Sequence, residues 1–577
     1  MNMLPRPRST TGRQTGLWNG SAAGTLPFPQ FVPGTIDLET HRSEGEKEQS
    51  GVGLIRRRVV PPTGFHGQMA GDVLSAGQFD EDDACTGAME SGYYTDLLFL
   101  PGPGTARPVC VATPAAASHV QAAVRCGRRH GVRLRVRSGG HDLEGLSYRS
   151  ERPGGGEAFA VLDLAGLRAV RVDVDPTGGA AATAWVESGA TIGELYYAVA
   201  RATDGRFAFP AGLCPTIGVG GHLSGGGFGM LLRKYGVAAD HVLDAVLVDA
   251  TGRLLDRDAM GSDVFWAIRG GGGGGSFGVV LSWQVRLVPV PPTVAAFKLP
   301  VSVAEGAVDA VTRWQMVAPA LPDDLFIRVL VQGAVAEFQS LYLGTCDALL
   351  PLMRRQFPEL GVNRTHCREM TWLDSVPYIY LGDGATAEDI LNRTTSMDAA
   401  SKATSDYVRE PISRAVWAEI FAAWLARPGG AGLMILDPYG GEIGRVPEDA
   451  TPFPHRAGVL YNIQYMNFWP ASGGDAAAAA AAGTKWIRDL HAFMEPHVSK
   501  EPREAYFNYR DLGLGENVVV GNVTSYEAGK VWGEKYFKGN FRRLAMAKAQ
   551  IDPDDYFRNE QSIPPLPDAQ RPVVINV

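Results

Sequence analysis

The chain has 577 residues, 45% of them hydrophobic and 20% charged, so it is long enough for more than one folding unit and ordinary for a globular protein. A net charge of -8 and a pI near 5.8 exclude a general attraction to nucleic acid or to anionic membranes. No apolar run reaches the roughly 18 residues of a membrane-spanning helix.

Residues 1–105 carry Pro, Gly, Ser and Thr clusters, the charged run HRSEGEKEQ and the acidic run DEDDA, which predicts a divergent, disordered segment. Its first residues, MNMLPRPRSTTGRQTG, contain no apolar core, so no signal peptide is visible. From Val109 short apolar runs alternate with helical patterns. Ser118 is expected to cap a helix over HVQAAVRCGRRHG that stops at Gly131. The strand LRVR and the turn SGGHD follow, then the strand AAATAWVESGA and a helix over IGELYYAVAR entered through Thr191. The strand AVLVDATG, the helix DVFWAIRG and the strand SFGVVLSWQVRLV complete a first unit, 106–292, bounded by Pro291 and Pro292. A second unit, 293–500, mixes strands (FIRVLVQG, VLYNIQYMNFW) with helices, and its alanine run after Asp475 reads as the loop and start of a helix running through TKWIRDLHAFM. The segment 501–570 is expected to return to the first unit. Alternation without a strict βαβ repeat predicts an α+β fold.

Six cysteines without CxxC spacing predict no metal site. Cys346 and Cys367 suit a disulfide or two free thiols equally well on spacing. Four N-x-S/T triplets begin at Asn19, Asn363, Asn392 and Asn522, which suits secretion.

Glycine is the compositional outlier, at 70 residues against roughly 40 at average usage. Eight of them fall between Gly212 and Gly229, and six run from 270 to 275. Glycine-rich turns let backbone N–H groups approach an anion and tolerate positive φ. No G-x-x-x-x-G-K-S/T run exists, and the six-glycine run leads into a strand rather than a helix, which argues against a dinucleotide fingerprint of the βαβ type. No G-x-S-x-G elbow supports a hydrolase. A large anionic cofactor held by several turns remains, and FAD fits. Taken singly, His141 reads as a capping or surface histidine and Cys214 as a buried inert thiol.

The segments RVRSGGHDLEGLSYRS and FPAGLCPTIGVGGHLSGGGFGMLLRKYG resemble the berberine bridge enzyme-like family of plants, within it the cereal members that include group 4 grass pollen allergens. EMTWLDSVPYI, TPFPHRAGVLYNIQY, AYFNYRDLGLG and KYFKGNFRRLAMAKAQIDPDDYFRNEQSIPPL extend the likeness in family order from about Arg107 to Leu566. The resemblance implies the two-domain fold of the vanillyl-alcohol oxidase type. An FAD-binding domain would be formed by 106–292 together with the C-terminal segment, and 293–500 would form a substrate domain on an antiparallel sheet. It also implies a secreted or cell-wall flavoprotein that oxidises a sugar or other alcohol. FAD would be attached bicovalently, His141 to the 8α-methyl carbon and Cys214 to C6. Arg137, Ser138, Gly139, Gly140, Asp142, Gly218, Gly220, Gly221, His222, Gly225, Gly278 and Asn559 are the further cofactor-binding candidates. Tyr506 and Gln464 are the candidates at the substrate, with Tyr506 as base or as an orienting group.

Several positions depart from the resembled pattern. Leu143, Phe228 and Asn462 stand where tyrosine-based members hold Tyr, Tyr and Lys, and Gln464 replaces the glutamate of alkaloid-cyclising members, so ring closure is disfavoured. Ile217, three residues after Cys214, predicts slow reaction with oxygen and hence a dehydrogenase. The glycine run is one residue longer than usual. Cys126 is expected to be half of a family disulfide, with Cys85 as a substitute partner. The segment before Arg107 has no counterpart in the resembled members, which points to a mis-assembled gene model or a diverged paralogue. The second functional reading is accordingly a catalytically impaired flavin-binding secreted protein.

Overall fold

The computed structural model describes residues 106–150, 157–174, 181–394, 399–425, 432–470 and 476–570, all in one structural unit. The expectations for residues 1–105, Asn19 and Cys85 therefore lie outside the described residues.

The described chain begins with a small parallel sheet ordered Val111–Ala112, Phe159–Asp163, Arg133–Arg137. The helix Ala117–Arg129 covers it, burying Val120 and Val124. Ser118 does not cap this helix. The N-cap is Ala116, in extended conformation and without a side-chain bond, and Ser118 already lies within the first turn, where a helical residue cannot cap. Gly131 ends the element as its sequence position predicts, in the left-handed region at φ +67°.

A second sheet is antiparallel, ordered Val170–Val174, Ala182–Glu187, Val279–Arg286, Val242–Val248, Leu254–Leu255. Its neighbour helix Ile192–Ala202 starts through a complete capping box. The Thr191 hydroxyl accepts from the Glu194 N–H, and the Glu194 carboxylate accepts from the Thr191 N–H.

The third sheet has seven antiparallel strands, ordered Arg368–Met370, Val294–Ser302, Val335–Tyr342, Leu325–Gln332, Gly432–Pro438, Tyr461–Pro470, Ala399–Val408. Strand alternation splits its side chains between two cores. Ile327, Val329, Ile463 and Tyr465 pack against Trp314 and Trp486 from the helices Ala307–Val317 and Ala476–Met494. Leu330, Leu433, Ile435 and Met466 turn the other way and meet Leu143. The alanine run contributes no loop, because the helix begins at Ala476 itself, as suits the residue with the best helix propensity. Both helices and antiparallel sheets are present, consistent with α+β. Cys346 and Cys367 form a disulfide, with sulfurs 2.05 Å apart, and Cys126 is also disulfide-bonded.

The C-terminal residues pack on the earliest described ones. Glu560 forms a buried ion pair with Arg135 at 2.9 Å, and the Ile563 N–H donates to Ser276 Oγ at 3.0 Å, directly after the glycine run. Lys548, fully buried, donates to the Ser276 and Phe557 carbonyls and to Asp552, with Asp555 at 3.2 Å.

Candidate active site

Two turns carry the candidate tethers, and glycine lets them touch. A Cβ on Gly139 would lie 2.2 Å from the Gly218 nitrogen, and one on Gly218 would lie 2.1 Å from the Gly139 nitrogen. No side chain fits between two backbones that close. Ser138 Oγ adds a bond to the Ser188 carbonyl, and Gly140 adopts φ +73°. The contact delivers His141 and Cys214 to a common hydroxyl. Thr216 Oγ1 lies 3.0 Å from His141 Nε2 and 3.4 Å from Cys214 Sγ. The Tyr380 hydroxyl, from the last residue of the helix Trp372–Tyr380, donates to Cys214 Sγ at 3.1 Å. Burial, reinforced by the Arg137 charge, pushes the His141 imidazole down to about 4, so the ring is neutral and nucleophilic at neutral pH.

Ion pairs clamp the His141 turn against a later loop. Asp142 accepts from the Glu144 and Leu146 N–H groups and pairs with Arg510 at 2.9 Å, while the Leu512 N–H donates to Glu144. Lys402 bridges Glu144 and Asp511, and Arg488 holds Asp511 through both oxygens at 2.9 and 3.1 Å. Burial opposes the Asp511 charge, but Lys402 and Arg488 outweigh it and hold the carboxyl at about 2. A depressed carboxyl stabilises the fold above its unfolded value of 3.8, and this contribution disappears as pH falls through about 2. Asp511→Asn is therefore expected to cost about 2 kcal/mol at pH 7. In urea unfolding, the gap from the parent protein should narrow between about pH 4 and pH 2; a gap independent of pH would contradict the assignment. Glu144 is raised by burial and also by the Asp511 charge, so Asp511→Asn lets the Glu144 pKa fall as well and that carboxyl contributes to the same pH-dependent difference.

Tyr506 sits at the other side of the site. Its hydroxyl accepts from the Gly227 N–H and from Asn508 Nδ2, both at 2.9 Å, and its ring packs against Phe228 and Tyr509 with centroids 4.9 and 4.8 Å apart. Burial pushes the phenol above its ordinary value although both donors favour ionisation. The Tyr506 N–H donates to Ser405 Oγ at 2.9 Å, and Ser405 pairs across the sheet with Gln464. Gln464 lies between Asn462 and Met466 on the sheet face that meets Leu143. The structure thus brings His141 and Cys214 together at Thr216, and Tyr506 and Gln464 together at Ser405.

The other candidates divide. His222, kept neutral by a burial shift to about 4, accepts the Gly212 N–H at 3.0 Å and fixes the start of the Cys214 segment. Gly220 faces Ser188, Gly225 faces Asn508 and Gly278 faces the Val248 carbonyl, all at distances no Cβ would tolerate. Gly221 faces open space, and Gly275 meets only Asn559 Nδ2 at 3.4 Å. A neutral imidazole, a half-buried thiol and open glycine backbone fit a flat, anionic cofactor such as FAD. Among the described residues no cluster suits a metal ion, and no helix is long and apolar enough to cross a membrane. Sequence reasoning missed Thr216, Asn508 and Tyr380. The first two stand two residues from Cys214 and Tyr506, where proximity was a usable signal; Tyr380, 166 positions from Cys214, offered none.

Comparison with known proteins agrees with this geometry. An FAD-binding domain profile matches residues 108–257, and a berberine and berberine-like profile matches 505–564. The chain is 63% identical over 462 residues to the berberine bridge enzyme-like protein Cyn d 4 of Cynodon dactylon, covering 80% of this chain and 85% of that one. It is 44% identical to tetrahydroberberine oxidase of Berberis wilsoniae, over 82% of this chain and 88% of the relative. The crystal structure of Phl p 4, a grass pollen allergen described as having glucose dehydrogenase activity, superposes with a TM-score of 0.76 at 57% identity, covering 81% of this chain and 92% of that one. This chain belongs to the berberine bridge enzyme-like family and is an FAD-dependent oxidoreductase.

Proposed function

We propose that the protein oxidises a carbohydrate or other alcohol by hydride transfer to FAD attached through both His141 and Cys214, and that it works as a dehydrogenase with slow oxygen reactivity. The observation that carries this reading is the meeting of His141 and Cys214 on Thr216. FAD supplies the hydride-accepting chemistry, and the chain supplies position and proton handling. Two tethers would remove the translational and rotational cost of holding the cofactor, roughly 4–15 kcal/mol for a reversible complex. Tyr506 and Gln464 would face the substrate hydroxyl, Tyr506 taking its proton and Gln464 orienting it.

Relatives supply the substrate class. Phl p 4 is described as a glucose dehydrogenase, and a variant of it with isoleucine replaced by valine as a glucose oxidase. Ile217, packed on the core three residues after Cys214, supports dehydrogenase behaviour here. Exposed Asn363, Asn392 and Asn522 and the two disulfide-bonded sites support a secreted or cell-wall protein.

Acid denaturation tests the attachment. Yellow colour is expected to stay with the wild-type chain and with His141→Ala and Cys214→Ala singly, and to leave the double variant. Flavin released from the wild type would overturn the reading. A second reading, a flavin binder without turnover, draws on Leu143, Phe228 and Asn462, the last fully buried with its Oδ1 lacking a partner. Anaerobic bleaching of the flavin by any sugar or alcohol in a broad panel would exclude it.

A further inference from the structure

Cys214 has two polar neighbours, and they differ in kind. Thr216 is local and shared with His141. Tyr380 reaches in from the sheet-bearing half of the chain and touches sulfur alone among the tether atoms. Its helix is held in register with the Cys214 segment at a nearby point. Trp372 packs edge-on against Tyr196 with centroids 4.8 Å apart, and the Tyr196 hydroxyl donates to the Gly212 carbonyl at 2.8 Å. The Trp372–Tyr196 contact thereby ties the helix to the start of the Cys214 segment through the Tyr196–Gly212 bond. Burial, and then the neighbouring sulfur, raise the Tyr380 phenol well above its ordinary value, which keeps it a donor throughout the working pH range.

We propose that Tyr380 is a positioning residue for flavin attachment: its hydroxyl orients Cys214 Sγ and supports the negative charge on sulfur as it attacks the flavin ring. The inference rests on the bicovalent reading above. In the step it serves, sulfur forms a C–S bond to ring carbon C6, and the thiol and C6 protons pass to solvent. The electron pair of the lost C–H bond reduces the ring by two electrons, and dioxygen takes these up as hydrogen peroxide. Thr216 alone cannot direct this step, since it is also engaged by His141 and lies 0.3 Å farther from sulfur than Tyr380 does (3.4 against 3.1 Å).

The test uses full-chain protein produced under riboflavin limitation, mixed with FAD in air and quenched in acid at intervals, with the flavin-bearing His141 and Cys214 peptides quantified by mass. Tyr380→Phe keeps the ring and removes one oxygen. Its Cys214 bond is expected to form more slowly by on the order of ten-fold, the usual consequence of losing one hydrogen bond to a charged atom. The pH profile of that rate should move to higher pH, a change that loosened packing alone would not produce. The His141 bond should form at the wild-type rate, showing in the same molecules that the pocket is folded. Formation of the Cys214 bond at the wild-type rate and pH profile in Tyr380→Phe would overturn the role of Tyr380 while leaving bicovalent attachment standing. Absence of both bonds in the wild type would overturn the attachment reading itself.

Discussion

Tyr506→Phe is expected to lower kcat/KM for alcohol oxidation by about 10²–10⁴, the range typical of a lost acid–base group. The phenol oxygen already accepts two hydrogen bonds, from Gly227 and Asn508, so its remaining hydrogen is the part left to meet a substrate. Both donors strengthen when the proton leaves, because a phenolate accepts better than a phenol. Burial works against them and wins in the absence of substrate, which places ionisation above the usual tyrosine value. A wild-type kcat/KM that keeps rising with pH beyond about 9 follows from that sign, and the Phe variant should lose the slope. The ring contacts with Phe228 and Tyr509 survive the substitution. The buried Gly227 N–H loses its acceptor, while Asn508 Nδ2 keeps the His222 carbonyl; the cost is about 1–3 kcal/mol in stability, so rates must be compared per bound flavin on protein shown to be folded. A loss below about three-fold with an unchanged profile would assign Tyr506 to orientation alone.

The largest effect on stability is expected at Lys548. Replacing it by Met leaves Asp552 and Asp555 facing each other in a fully buried site, and breaking a buried pair in this way costs about 3–5 kcal/mol. The carbonyls of Ser276 and Phe557 lose their donor as well. Ser276 follows the glycine run and receives the Ile563 N–H, so damage should spread from the C-terminal segment to that glycine-rich turn. Urea unfolding with the flavin spectrum monitored in parallel would show this as an early change in the cofactor's surroundings; a variant within about 1 kcal/mol of wild type would refute the role assigned to the lysine.

Local elements were legible because their causes are local. Thr191 and Glu194 form the capping box that their three-residue spacing predicts, and Gly131 ends its helix by the conformation only glycine adopts readily. Ser118 misled because a good capping residue one place inside a helix looks the same in sequence as one at its boundary. The alanine run starts a helix as expected but contributes no loop, because alanine is the strongest helix former. At the site, His141 and Cys214 stood out through the long motifs around them, not through their own spacing. What the motifs could not convey is how the two turns meet. The contact of Gly139 with Gly218, the shared Thr216 and the phenol of Tyr380 are products of tertiary packing between remote stretches. The Cys346–Cys367 disulfide was undecided on spacing and is resolved by geometry.

The pairing of Arg135 with Glu560 has a consequence for biosynthesis. These partners are 425 positions apart, and Ser276 and Ile563 are 287 apart. A chain emerging from the ribosome therefore displays His141 and Cys214, the proposed tethers, long before the C-terminal segment exists, and contacts of such separation form late. Flavin capture should follow chain completion rather than accompany translation, leaving an interval in which a reactive thiol and an open glycine-rich cradle are exposed together. The same geometry makes the segment after residue 500 the step that commits the protein to its cofactor, so chains ending near residue 500 should remain colourless however much FAD is supplied.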